Sequence, residues 1–210
     1  MKNDYQLFCE LLDNIKKSNK KPTLLLHSCC GPCSSYVLEK LLPYFKITIF
    51  YYNPNIYPKE EFFKRLDTQK QLLKELNEDI DLIVEDDDHQ VFLDAIKDTE
   101  YLKEGSKRCY LCYEFRIKKL SEVASKLNFD YFSTVMSVSP YKNSLWINEL
   151  GKKYENNSLF LYSNFKKEEG YKKSIILSKE YHLYRQSWCG CEFSLKEHEE
   201  KIQNMKENWW

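Results

Sequence analysis

Apolar residues follow two different spacings along this chain. Five short segments are apolar, β-branched or aromatic at nearly every position, a pattern typical of strands buried in a sheet. Longer segments carry an apolar residue every three or four positions, which is typical of helices with one buried face. The predicted strands cover 23–27, 46–52, 81–86, 131–136 and 159–162. The predicted helices cover 4–20, 59–76, 112–127 and 193–210, and a further helix begins near Ser34.

This alternation of strand and helix predicts an α/β fold in which a parallel sheet carries helices on both faces. We expect a single domain over 1–210. It would consist of an N-terminal helix in 1–21, a core over 22–194 and a helical tail over 195–210.

Composition excludes several classes of protein. The 210 residues have a mean hydropathy of -0.64, and no apolar run approaches the roughly 20 residues of a membrane span. Aromatic residues make up 15% of the chain, which is more buriable surface than disordered chains carry. The 32 basic and 32 acidic residues cancel, so a global basic excess does not point to nucleic acid. Because 1–21 lacks the basic and apolar pattern of a signal peptide, we expect a cytoplasmic protein with reduced thiols.

The eight cysteines are the unusual part of the composition. Cys9 occupies an apolar position of the first helix, where a free cysteine is commonly core. The other seven form three tight groups: Cys29, Cys30 and Cys33 in HSCCGPCSS, Cys109 and Cys112 in KRCYLCYE, and Cys189 and Cys191 in SWCGCEF. Seven thiols exceed the needs of one tetrahedral zinc ion, and they suit an iron–sulfur cluster plus a second metal or a redox pair. Zinc binding and metal-free thiol chemistry remain as alternatives.

Three motif-bearing loops follow predicted strands. HSCCGPC follows the first strand, YNPNIYP the second and SVSPYKN the fourth. Ligands of open parallel sheets bind beyond the carboxyl ends of the strands, so we expect these loops to converge at one edge. The chain has only five glycines and neither a G-x-G-x-x-G nor a P-loop motif. An S-G-G-x-D-S loop of the ATP pyrophosphatase type is also absent from the sequence, so nucleotide activation is disfavoured.

These motifs, together with RCYLCYEFR and LYRQSWCGCEFS and in this order, resemble the iron–sulfur, cobalamin-independent epoxyqueuosine reductases (QueH type) over 23–194. The resemblance implies a Rossmann-like fold related to the adenine-nucleotide α-hydrolases. It implies an oxidoreductase that removes the epoxide oxygen of epoxyqueuosine in the tRNA anticodon with two electrons, giving queuosine. Asn164 and Trp188 depart from the family pattern, and neither departure touches a cysteine.

The resemblance also assigns roles to individual thiols. Cys29, Cys30, Cys109 and Cys112 match the four ligands of a 4Fe-4S cluster. Cys189 and Cys191 match a redox-active pair that forms a disulfide, or else ligands of a second, mononuclear iron. Cys33 would be the additional ligand of that iron.

Other candidate residues lie in the motif loops. Tyr184 and Arg185 are candidates for proton delivery or substrate binding. An external reductant would supply the electrons, and a metal with an open position would polarise the epoxide oxygen. The candidates for contact with the modified base and its phosphates are Asn53, Asn55, Tyr57, Arg65 and Tyr141. The alternative functions are a structural-zinc RNA-binding protein and an enzyme of the tRNA-thiolation type.

Overall fold

A computed structural model describes residues 2–207 and contains a five-stranded, all-parallel sheet. Its strands are β1 (Thr23–His27), β2 (Lys46–Tyr52), β3 (Asp81–Glu85), β4 (Tyr131–Thr134) and β5 (Leu159–Phe160). The order across the sheet is β3-β2-β1-β4-β5. This order confirms the predicted α/β, Rossmann-like architecture.

Eight α-helices lie within residues 2–207. They are α1 (Asp4–Ser18), α2 (Gly31–Leu41), α3 (Lys59–Leu76), α4 (His89–Ala95), α5 (Lys107–Lys126), α6 (Ser144–Lys153), α7 (Gly170–Glu180) and α8 (Glu192–Glu207). Short 3-10 helices cover Val135–Val138 and Lys167–Glu169. In this part of the chain, no helix combines the length and the apolar character needed to cross a bilayer.

The helices cover both faces of the sheet. Leu24 and Leu26 of β1 point into a core formed with α1, α2, α3 and α7, whereas Leu25 points to the opposite core, formed with α5 and α6. This division follows from the two-residue period of a strand, and it explains why the central strand is apolar throughout. Cys9 packs against the first core, as its position in the helix predicts.

Several predicted boundaries differ from the structure; α5, for example, begins at Lys107 instead of residue 112, and β5 ends at Phe160 instead of residue 162. The fourth strand ends at Thr134 instead of residue 136, because the Thr134 side chain accepts a hydrogen bond from the Met136 N–H and turns the chain into a 3-10 helix. α2 begins at Gly31, three residues early, with Pro32 in its first turn, where a missing N–H is harmless. The C-terminal helix is described to Glu207, so Trp209 and Trp210 of the predicted helix lie outside the described residues.

β1 pairs with β2 on one side and β4 on the other, so strand order reverses at β1. The connections from β1 to α2 and from β4 to α6 therefore leave the same edge of the sheet in the centre of the fold. The cysteine motif HSCCGPC lies in the first of these connections, and SVSPYKN lies in the second.

Candidate active site

Three thiols gather where β1 leads into α2. The Sγ atoms of Cys29, Cys30 and Cys33 all lie within 4.8 Å of one another. Gly31 makes this arrangement possible, because a Cβ atom there would meet the Thr68 backbone oxygen of α3 at 2.7 Å. All eight cysteines lie within the described residues, and all are free thiols.

The environment of Cys30 favours a thiolate. Hydrogen bonds from the Cys29 and Cys33 thiols hold the pKa of Cys30 well below its ordinary value, and the guanidinium of Arg65 acts in the same direction. Gln186 Nε2 donates a hydrogen bond to Cys30 Sγ at 3.2 Å. Three adjacent sulfur donors, one of them favoured as a thiolate, fit a metal that prefers soft ligands. This group is therefore able to hold a metal.

A buried polar network lies beneath the three thiols. The Ser28 and Ser34 hydroxyl oxygens lie 2.7 Å apart and lie 2.7 Å and 2.8 Å from Gln69 Oε1, so their two protons are shared among these three oxygens. Asn53 Nδ2 donates to the Ser28 carbonyl at 2.8 Å. His27 is fully buried and bonded through both ring nitrogens, as a structural histidine should be. The thiol-bearing loop thus rests on side chains with fixed positions.

A second sulfur group forms where α5 meets the C-x-C segment. Cys112 of α5 and Cys191 share an apolar cluster with Phe92 of α4 and with Ile96, the residue that follows this helix. Burial raises the pKa of Cys112 to about 12 and also raises the pKa of Cys191. Arg116 Nη2 donates to Cys112 Sγ at 3.3 Å, which places a buried cation beside this group. Among the described residues, the close group formed by Cys29, Cys30 and Cys33 includes no cysteine of α5 or of the C-x-C segment.

Cys189 has a different partner. Lys142, in the loop after β4, places its Nζ atom 2.7 Å from Cys189 Sγ and 3.2 Å from the Glu104 carboxylate. Burial disfavours the charge of Lys142, but the electrostatic attraction of Cys189, Tyr113 and Glu104 outweighs burial and raises the pKa of the lysine well above its ordinary value. The lysine is therefore a cation beside a sulfur atom.

A cavity of about 480 Å³ brings these segments together. It lies beyond the carboxyl ends of β1 and β4, as the topology predicts. Its sulfur-bearing lining consists of Cys29, Cys33 and Cys189. Its charged lining consists of Arg116, Lys142, Arg185, Lys201 and Glu104. Four cations against one carboxylate make this cavity suited to a substrate that is anionic or develops negative charge.

Arg65 fixes the backbone next to the C-x-C segment through hydrogen bonds. Its Nη1 atom donates to the Cys189 carbonyl at 3.0 Å and its Nη2 atom to the Trp188 carbonyl at 3.4 Å, while Nε is paired with Glu61 at 2.6 Å. The Tyr184 hydroxyl donates to the same carboxylate at 3.1 Å. These contacts set the backbone position of the segment that carries Cys189.

The predicted substrate and proton-transfer residues occupy two kinds of position. Tyr141 and Arg185 line the cavity. The others support it: Asn53, Asn55 and Arg65 are buried, Tyr184 bonds to Glu61, and Tyr57 donates its backbone N–H to the Gly190 carbonyl at 2.8 Å.

Sequence reasoning missed several residues of the cavity. Lys142 stands inside the quoted motif SVSPYKN, so a systematic survey of charged motif residues would have found it. Gln186 and Trp188 stand in the motif LYRQSWCGC in the same way. Lys201 lies on α8, outside every motif, and the sequence contains no signal that places it at the cavity.

Comparison with known proteins identifies relatives of this chain. The family model described as "Epoxyqueuosine reductase QueH" matches residues 24–197. A curated protein named epoxyqueuosine reductase QueH from Staphylococcus epidermidis is 36% identical over 193 residues, which cover 88% of this chain and 81% of the relative. Proteins of the same name from Streptococcus pyogenes and Thermotoga maritima are each 35% identical, with 86% and 85% of this chain and 73% and 93% of the relative covered. This chain therefore belongs to the epoxyqueuosine reductase QueH family.

Proposed function

We propose that this protein is an epoxyqueuosine reductase that acts on tRNA in the cytoplasm. The reaction removes the epoxide oxygen of epoxyqueuosine with two electrons and two protons and yields queuosine and water. The observation that carries this proposal is the single cavity in which Cys29, Cys33 and Cys189 meet the Lys142 ammonium. Thiols can ligate a redox metal or supply electrons, and a cation can stabilise an oxygen as its bond to carbon breaks.

The proposed cofactor is a 4Fe-4S cluster with Cys29, Cys30, Cys109 and Cys112 as ligands. The soft donor set and the favoured thiolate of Cys30 support metal binding at the first group. The position of Cys33 within the same group supports it as a further ligand, suited to a second iron. When bound, this metal centre would supply single-electron transfer and a Lewis-acidic position for oxygen.

The proposed redox pair is Cys189 and Cys191. Oxidation of two thiols to one disulfide releases two electrons and two protons, which is the amount that the loss of the epoxide oxygen as water consumes. An external dithiol or one-electron carrier would then reduce the disulfide and start the next cycle. The hydrogen bond from the Arg65 guanidinium to the Cys189 carbonyl keeps Cys189 at the cavity during this exchange.

Other side chains would bind substrate and exclude water. The Lys142 ammonium is suited to hydrogen-bond the departing oxygen. Arg185 and Tyr141 both line the cavity and suit contacts with the RNA around the modified base. Asn53 acts indirectly in this scheme, because its buried amide donates to the Ser28 carbonyl and so ties the loop after β2 to the thiol-bearing loop; Asn55 is buried in the same loop after β2.

Anaerobic purification followed by assays of iron, sulfide and activity tests this proposal. We expect a brown protein that converts epoxyqueuosine to queuosine in isolated tRNA, measured by nucleoside analysis. Cys189→Ser and Cys191→Ser should retain most of the iron and lose turnover, with Cys9→Ser as the matched control that retains both. A colourless protein that holds stoichiometric zinc after cluster reconstitution and leaves the epoxide intact would favour a structural-zinc RNA-binding protein instead.

A further inference from the structure

The C-terminal helix α8 contributes a wall to the cavity. Lys201 lines the cavity itself and also an adjoining cleft of about 450 Å³. Tyr141 and Glu104 likewise line both spaces, so the cleft continues the cavity outward. The family model matches residues 24–197, so Lys201 lies outside the matched range.

The charges of the cleft are partly neutralised. Glu104 is paired with Lys142 at 3.2 Å, and Glu197 is paired with Arg108 at 3.0 Å. Lys201 is exposed and forms no ion pair within the described part of the chain. The remaining charged lining of the cleft consists of Lys103 and Glu200. Lys201 is therefore an exposed cation, shared by the cavity and the cleft, that is able to meet an anion arriving from solvent.

An aromatic ring stands beside this cation. Tyr141 has 74% of its surface exposed although it lies in the loop that also carries Lys142. An exposed tyrosine at a cavity mouth offers a flat face on which an unpaired base can stack, and stacking requires no particular base. A lysine and an aromatic ring on one cleft match the alternation of phosphate and base in single-stranded RNA.

We propose that the cleft between α8 and the Tyr141 loop binds the RNA nucleotide next to the one that is reduced. Lys201 contacts the phosphate between the two nucleotides, and Tyr141 stacks on the neighbouring base. This inference rests on the proposed function and extends it, because it predicts a preference for an anticodon loop over a free nucleoside.

The test compares two substrates that carry the same epoxide, an anticodon stem–loop and the free epoxyqueuosine nucleoside. With the stem–loop, Lys201→Ala should raise KM about threefold to tenfold and leave kcat within about twofold, because one phosphate contact is lost. The slope of log KM against log salt should fall by about 0.7. With the nucleoside, which lacks this phosphate, the fold-change in KM should be clearly smaller than with the stem–loop. The matched control is Lys196→Ala, an exposed lysine on α8 away from the cleft.

Glu200→Gln gives a test of opposite sign, since removal of the free carboxylate should lower KM for the stem–loop. The inference is overturned if Lys201→Ala leaves the KM and its salt slope unchanged, or if it changes KM equally for both substrates. Fluorescence anisotropy of the labelled stem–loop separates this failure from failure of the proposed function. A protein that binds the stem–loop through Lys201 but leaves the epoxide intact would support the cleft and refute the reductase.

Discussion

Replacement of Arg65 by methionine tests how the C-x-C segment is held. The guanidinium is fully buried, and every hydrogen bond described for it joins it to Glu61 or to the carbonyls of Trp188 and Cys189. Methionine has a similar length but neither charge nor donor. The variant therefore removes the ion pair and both carbonyl contacts without a large cavity.

The expected loss of stability follows from the burial of the Glu61–Arg65 ion pair. Removal of one partner of a buried ion pair leaves the other charge unpaired and destabilises a protein by about 3–5 kcal/mol. The Tyr184 hydroxyl still donates to Glu61, and this contact keeps the loss within that range. With a urea m-value of about 2.5 kcal/mol/M, the midpoint of unfolding should fall by roughly 1–2 M.

Tryptophan fluorescence during anaerobic urea unfolding measures the change. A double-mutant cycle with Glu61→Gln isolates the pair, and we expect the two losses to be strongly non-additive. Arg65→Lys keeps the positive charge but loses the planar guanidinium and its several N–H donors. Its urea midpoint of unfolding should therefore lie between those of the methionine variant and the wild type. A midpoint shift for Arg65→Met below about 0.4 M, equivalent to roughly 1 kcal/mol, would refute the reasoning.

Three further predictions concern other residues. Lys142→Gln should lower turnover about 10²-fold while the iron content of the purified protein stays constant, because the cavity loses the ammonium that contacts Cys189 Sγ. A rate within about twofold of wild type would contradict this role. Gly190→Ala should destabilise the protein by about 1–3 kcal/mol in urea unfolding, since its φ is +136° and a Cβ would lie 2.9 Å from Arg65 Nη1; Gly105→Ala, with φ +84° and open space, is the control and should change stability less. Burial lowers the pKa of His27 from 6.5 to about 4. Between these two pH values the unfolded chain binds a proton at His27 and the folded protein does not. The free energy of unfolding should therefore fall by up to about 3 kcal/mol as the pH drops from 6.5 to 4. In the metal-free protein, His27→Gln should flatten this slope, and equal slopes would disprove the assignment.

Most of the sheet could be predicted because its buried strands are short apolar runs bounded by polar residues. β1 and β2 have the predicted bounds, and α3 does too, since its apolar residues keep a helical spacing to Leu76. The end of β4 was not predictable in the same way. There a single side-chain hydrogen bond from Thr134 outweighs the β propensity of the following Val135 and Met136.

The candidate site was predictable as a set of thiols but not as a set of contacts. Local spacing reveals groups of cysteines, whereas the neighbours of each group come from distant segments. Lys142 meets Cys189 across 47 residues, and Arg65 reaches the same segment across 124. Arg65 was predicted to contact substrate, and its burial was not predicted. The sequence of a motif does not show whether the guanidinium of an arginine contacts a substrate or the protein backbone.

The order of the sheet has a consequence for how the enzyme is made. Cys29 and Cys189 line one cavity although they are separated by 160 residues, from 29 to 189. β1 cannot complete its pairing until β4 has been synthesised, and the cavity has no C-x-C wall until the segment after α7 has left the ribosome. Contacts between such distant segments form late in folding. For the metal centre proposed above, the wall that carries Cys189 is therefore complete only after nearly the whole chain has been synthesised, long after the Cys29, Cys30 and Cys33 group.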